Sequence, residues 1–198
     1  MTAKRGRPRG FDRDQALLSA TVLFWQYGYE GVSIADLTKA MGIAPPSLYA
    51  AFGSKRELFG EVTDRYGDTF GAFMGRALEE EPDAREGFAR MLAEAAAHYT
   101  DPQHPAGCLI VSAATNYSPH DEEVAVDLRS RRQSNVDVFA SHLAAARAGG
   151  KLPSGSAPRE LAMYFAAVVQ GMSQQARDGA TRGELSTVAE LAMAVWPR

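Results

Sequence analysis

Apolar residues recur along this chain with a helical period, and hydroxyl or acidic residues mark where each run begins. Asp12-x-x-Gln15 precedes a run in which Ala16, Leu17, Ala20, Leu23 and Phe24 fall at helical spacing, ending near Gly28. Ser33-x-x-Asp36 opens a short run with Ile34, Leu37 and Met41 on one face and Gly42 at its end. Ser54-x-x-Glu57 and Thr181-x-x-Glu184 open two more. In each pattern a side-chain oxygen can accept from an orphan amide of the first turn, while the residue three positions on reaches back. Between Gly42 and Gly53, Ala44 precedes a proline and disfavours helical geometry. Pro45 and Pro46 suit a first turn whose N–H groups need no partner, so a very short helix is expected from about 45 to 51.

Farther along, residues 54–80 read as one long helix with Leu58, Val62, Tyr66, Phe70, Phe73 and Ala77 as its stripe, broken by Pro82. Residues 83–100 follow with Phe88, Met91, Leu92, Ala95 and Tyr99. The segment GCLIVSAAT (107–115) is apolar almost throughout, and its period does not separate a buried strand from a buried helix. A run from His120 to Ala148 stops at Gly149-Gly150, and LPSGSAP (152–158) reads as a flexible linker. Two final helices are expected over 159–177 and 182–196. With no strand alternation and no internal repeat, the fold class is all-α, about nine helices.

Composition narrows the chemistry. The chain has 198 residues and a single cysteine, which excludes an internal disulfide framework and a multi-cysteine zinc site and suggests a reducing compartment. No apolar run approaches the roughly 18 residues that span a bilayer, and MTAKRGRPRGF lacks the apolar core of a secretory signal, so a soluble, cytoplasmic protein without membrane partners is expected. Net charge is −3, but unevenly divided. Residues 1–60 hold eight bases and five acids, four of the bases within residues 4–9, while the remainder is acidic. That asymmetry suits a basic head for a polyanion, or a solvated basic tail. His98, His104, His120 and His142 are scattered, and no nucleophile–base spacing, phosphate loop or dinucleotide fingerprint occurs. Neither an enzyme, a metal site nor a cofactor is expected.

Three helices in the first 52 residues, the second and third joined by a tight Met-Gly-Ile turn, describe a helix-turn-helix whose third helix enters the major groove. The stretch VSIADLTKAMGIAPPSLYAAFGSKRELF (32–59), preceded by LFWQYGYEG (23–31), closely resembles the DNA-binding domain of the tetracycline-repressor (TetR) family. The landmarks are the Gly-Ile turn, Leu48-Tyr49, Phe52 and Ser54-Lys55-x-Glu57-Leu58. The resemblance implies a homodimeric transcriptional regulator, usually a repressor, that binds a pseudo-palindromic double-stranded operator and leaves it when a small-molecule effector binds. It further implies a basic arm over 1–10, a helix-turn-helix domain over 11–56 and a ligand-binding and dimerisation domain over 57–198. By position, Ser33, Tyr49 and Lys55 match phosphate or base contacts, and Pro45, Pro46, Ser47 and Ala50 fall on the groove-facing side. Many relatives carry polar residues at Pro45-Pro46 and Ala50-Ala51, so direct readout here leans on thymine methyls and on Ser47. Arg5, Arg7 and Arg9, in an Arg-Gly-Arg-Pro-Arg tract, suit either minor-groove contact or a nonspecific phosphate tether.

Within the body, Phe70, Phe73, Met74, Phe88, Tyr99, Asn116, Tyr117, Phe139, Tyr164 and Gln170 are the candidates to line an effector pocket. Leu161, Ala162, Val168, Gly171, Val188 and Val195 on the last two helices are the candidates for a four-helix dimer interface. Cys108 reads either as a small buried apolar residue or as an electrophile or oxidant sensor, activated by a helix start at Pro105-Ala106-Gly107. Two other classes remain open: an effector-independent architectural DNA-binding protein, and a helical ligand carrier or enzyme with a vestigial helix-turn-helix.

Overall fold

The computed structural model describes residues 11–197. The basic arm, with Arg5, Arg7 and Arg9, lies outside them. Among the described residues the chain forms ten α-helices and one 3-10 turn (Pro119–Asp121), with no strand. The first four helices are α1 (Arg13–Tyr27), α2 (Ile34–Met41), α3 (Pro45–Phe52) and α4 (Lys55–Asp68). The body continues with α5 (Phe73–Glu80), α6 (Ala84–Tyr99), α7 (Leu109–Ser112), α8 (Glu122–Ala148), α9 (Pro158–Arg177) and α10 (Arg182–Met193).

The helix starts are fixed locally. Ser33 with Asp36, Ser54 with Glu57 and Thr181 with Glu184 each form a reciprocal capping box. At α1 the capping is by Asp12 alone, whose carboxylate accepts from the Asp14 and Gln15 amides at 2.9 and 3.1 Å. Asp83 caps α6 in the same way.

Three segments differ from the sequence reading. The helix expected across 54–80 is two helices. Thr69 ends α4 with its hydroxyl donating to the Arg65 carbonyl at 2.6 Å, and the Gly71 amide folds back onto the Tyr66 carbonyl at 2.8 Å. Gly67, Thr69 and Gly71 make this the weakest helix-forming stretch of the run. The 107–115 segment is helical for only four residues. Gly107 is left-handed (φ +76°) and pressed against α9, where a Cβ would lie 2.6 Å from the Ser173 carbonyl. Residues 152–158 are tied down: Leu152 is buried, and the Arg147 guanidinium donates to the Ser156 carbonyl at 3.1 Å.

In the body α8 and α9 pack along one another, and α6 lies against α9 and α10. Phe88, Phe139, Phe165 and Trp196 fill the space between, with Phe88 4.7–5.6 Å from the other three rings. A second aromatic group joins the body to α1. Trp25 contacts Tyr66, Phe70, His98 and His104 at 4.6–6.0 Å between ring centroids. Among the described residues no helix is long and apolar enough to cross a membrane.

Candidate nucleic-acid interface and ligand cavity

The head is built so that one helix is left facing outward. Phe24 of α1, Leu37 of α2 and Leu48 and Phe52 of α3 are all buried in the head. Gly42 turns the chain between α2 and α3 in the left-handed region (φ 66°), and the Ile43 amide closes the turn on the Thr38 carbonyl at 3.1 Å. With Leu48 and Phe52 inward, α3 presents Pro45, Pro46, Tyr49 and Ala50 to solvent, and Tyr49 is half exposed. Ser47 lines a shallow groove of about 360 Å³ together with Phe11, Ile43, Ala44, Ala50 and Ala51, among others. Ser33 sits at the exposed start of α2, with its hydroxyl committed to the Asp36 cap.

Lys55 is placed differently from a free phosphate ligand. Its ammonium lies 4.2 Å from the centroid of the Tyr29 ring, a cation–π contact. Burial lowers its pKa, opposed by the nearby carboxylates of Glu30 and Asp121. The Tyr29 hydroxyl is pushed up to about 12 by burial and by Asp121. Arg56 pairs with Glu123 of α8, and Arg13 pairs with Glu61 at 2.7 Å while stacking over Phe52. Several head cations therefore rest on neighbouring groups, and Lys55 faces the junction with the body.

That junction is held by backbone groups. The Tyr29 amide donates to the Ala113 carbonyl at 2.7 Å, just past α7, and the Ser118 amide donates to the Glu30 carboxylate at 2.6 Å. Arg177, at the end of α9, donates to the Trp25 and Gln26 carbonyls at 3.0 and 3.2 Å, capping the C-terminal turn of α1. Sequence reasoning assigned no role to Tyr29 or Arg177. Their partners stand 84 and 151–152 residues away, beyond any local pattern.

Below α7 lies the cavity. A space of about 330 Å³ is bounded by Tyr66, Met74, Cys108, Ile110, Ser134 and Asn135, among others. It adjoins an enclosed space of about 20 Å³ lined by Tyr99, Arg132, Phe139 and Gln170, with Met74, Cys108, Ile110 and Asn135 common to both. Of the pocket candidates, Met74, Tyr99, Phe139 and Gln170 line the smaller space together. The others do not. Phe70 and Phe73 belong to the Trp25 aromatic group, and Phe88 is locked in the α6–α8–α9 core. Asn116 and Tyr117 are exposed before α8, and Tyr164 points outward from α9. Tyr66, Arg132 and Asn135 were missed because helical spacing makes Tyr66 look like core and the other two like a solvated face.

Cys108 lacks the exposure and activation that a reactive thiolate needs. Residues 105–107 form no helical turn; the helix begins at Leu109, and the Cys108 amide is used by the Ser173 hydroxyl at 2.9 Å. The thiol is 4% exposed, and burial pushes its pKa up. Of the interface candidates, Ala162 is fully buried within the protomer. Leu161, Val168 and Val188 are partly buried, and Gly171 and Val195 are exposed. Met163 and Leu191, exposed at 58% and 68%, are the larger apolar surfaces on α9 and α10.

Comparison with known proteins covers both halves of this architecture. Residues 16–62 match the family described as bacterial regulatory proteins, tetR family, and residues 84–189 match a tetracyclin repressor-like C-terminal domain. The HTH-type transcriptional repressor ComR of Escherichia coli K12 is 38% identical over 98% of this chain and 92% of its own length. The repressor BdcR of the same organism is 32% identical over 94% and 90%. A cysteine-substituted form of the TetR family transcriptional regulator CifR, solved with 26-base-pair double-strand operator DNA, is 43% identical. It superposes with a TM-score of 0.94 over 97% of this chain and all of its own.

Proposed function

Because the chain belongs to the tetR family of bacterial regulatory proteins and is a DNA-binding transcriptional regulator, we propose that it is a repressor, released from a pseudo-palindromic operator when a small molecule enters its helical body. Support for repression comes from ComR and BdcR, which carry that name and align over nearly the whole chain. Support for operator binding comes from the outward-facing α3, whose superposed counterpart in CifR belongs to a DNA complex. In this reading the groove-facing set is Pro45, Pro46, Ser47, Tyr49 and Ala50, with Ser33 at the exposed start of α2 offered to a phosphate. The head is taken as residues 11–56 and the body as 57–198. The body is given a sensing role and no catalytic one, and the protein acts in the cytoplasm, where its operator is.

The observation that carries release is the short stretch of chain that links the cavity wall to the head. Cys108 and Ile110 line the cavity, and three residues beyond Ile110 the Ala113 carbonyl holds the Tyr29 amide. A ligand that shifts α7 shifts the segment on which the head is hung, and a ligand favouring the shifted arrangement lowers operator affinity. The test is fluorescence anisotropy of the full chain on DNA from upstream of its own and adjoining genes. Saturable, salt-dependent binding that a metabolite reverses is expected; absence of binding to all such fragments would refute the assignment.

A further inference from the structure

Two buried phenols stand in the cavity wall with weak or no partners for their hydroxyls. Tyr66 and Tyr99 are 1% and 0% exposed; the Tyr99 oxygen has no hydrogen-bond partner among the described residues, and the Tyr66 oxygen has beside it only the Cys108 thiol, a weak acceptor, and the Leu109 amide. Buried polar groups of this kind are paired in nearly all native proteins, so an unpaired donor marks a place where something else is held. Both hydroxyls lie close enough to the Cys108 thiol to be influenced by it. Tyr66 lines the larger space and Tyr99 the smaller one, and Cys108 walls both. Burial, and then the neighbouring thiol, raises both hydroxyls well above the usual phenol range, so each stays protonated and offers a hydrogen.

The rest of the lining has the same polarity. Among the described residues, no Asp or Glu lines either space. Two guanidinium groups do. Arg131 is held by Asp64 and Asp127, and Arg132 donates to the Ile110 carbonyl at 2.7 Å. A cation entering here would meet like charge and find no acid to pair with. An acceptor oxygen would meet two O–H donors, with the Asn135 and Gln170 amides to orient it. A volume of about 330 Å³ is at the small end of ligand pockets, enough for a single ring and its substituents.

From this placement we propose that the effector is a small, neutral or anionic molecule with an apolar body, whose carbonyl or carboxylate oxygen is held by the hydroxyls of Tyr66 and Tyr99. The proposal rests on the reading of the chain as a ligand-released repressor, and it specifies the chemistry of that ligand. It also gives the tyrosines a positioning role: an oxygen drawn towards Cys108 places the ligand against the residue that starts α7.

The test uses probes that share one ring and differ in one group: benzaldehyde, benzoate, toluene and benzylamine, the last a cation at neutral pH. Binding to the full-length protein is measured by isothermal titration calorimetry, without DNA. Benzaldehyde or benzoate is expected to bind at least about tenfold more tightly than toluene, and benzylamine most weakly. Tyr99→Phe removes an oxygen without a partner in the free protein, and Tyr66→Phe one whose neighbours are a weakly accepting thiol and one amide, so both variants should fold. Each should weaken the oxygenated probe about tenfold, the effect of one hydrogen bond, while leaving toluene unchanged. The inference is overturned if no oxygenated probe binds, if toluene or benzylamine binds as tightly, or if both variants behave as wild type. A single ordered water satisfying the two hydroxyls would give the first of these outcomes. Operator release is read separately by anisotropy. Release by toluene or benzylamine alone leaves the repressor reading standing and removes this inference, whereas a protein that never binds operator removes the repressor reading whatever the calorimetry shows.

Discussion

At the scale of single residues, Lys55 and His98 show how position changes the role that residue type suggests. Lys55 stands at the first turn of α4, where a base suits a phosphate, yet its ammonium rests on the Tyr29 ring. A flexible four-carbon stem lets it leave that ring for DNA at small cost. If it does, Lys55→Ala should weaken binding to all sequences alike and reduce the salt slope by about one ion. An unchanged slope in a titration from low to moderate salt would mean that Lys55 stays at the junction in the complex. His98 is partly buried among Trp25, Phe73 and His104, and its ring nitrogen Nε2 has no partner among the described residues. Burial, then repulsion from His104, lowers its pKa from 6.5 to about 4, with Asp101 opposing. A depressed folded-state pKa means that the unfolded chain binds the proton first. The stability it contributes is therefore present above about 6.5 and lost as pH falls towards 4. Thermal melts across that window should show the loss, and His98→Phe should flatten it; parallel acid limbs in the two proteins would show that other groups control the transition.

At the scale of elements, what the sequence could reveal was whatever is decided within a few residues. The capping boxes, the Pro45-Pro46 start and the Gly42 turn were all legible because their hydrogen bonds close within one helical turn. The division between α4 and α5 was partly legible in Gly67, Thr69 and Gly71, but the apolar stripe continued across it and masked the break. α7 was not legible, because its length is set from outside, by Ser173 on α9 and Arg132 on α8. The same reason explains the site: the α3 surface follows from a local motif, whereas the cavity is assembled from α4, α5, α6, α7, α8 and α9. Gly107 is where this distant control can be tested. Its φ of +76° disfavours any side chain, and a Cβ would meet the Ser173 carbonyl at 2.6 Å and the Ser173 hydroxyl at 3.0 Å. Gly107→Ala should cost about 2 kcal/mol or more, from left-handed strain and crowding together. Denaturant unfolding measures it, and a loss below about 0.5 kcal/mol would show that α7 is free to move off α9 without cost.

At the scale of the whole molecule, the remaining question is what covers the apolar surface that α9 and α10 leave outside. Met163, Tyr164, Leu191 and Val195 are each at least 36% exposed, while their neighbours Ala162, Phe165 and Ala192 complete the protomer's own core. A second copy related by a two-fold axis would bury this face. It would also set two α3 helices at the spacing of successive major grooves, roughly 34–36 Å. Leu191 discriminates better than Val168, which is already partly covered within the protomer and whose loss would confound folding with assembly. Because Leu191 is 68% exposed, Leu191→Glu should leave the protomer's stability within about 0.5 kcal/mol. Two carboxylates would then be brought into a desolvated interface, and the dimer should dissociate. Each head would bind its half-site alone, without the effective concentration supplied by its twin, and operator affinity should fall about a hundredfold or more. Light scattering and anisotropy on the same sample separate the steps. A monomer that still binds the full operator tightly would break the link between assembly and recognition. A dimer that persists with Leu191→Glu would move the interface to another face of the body.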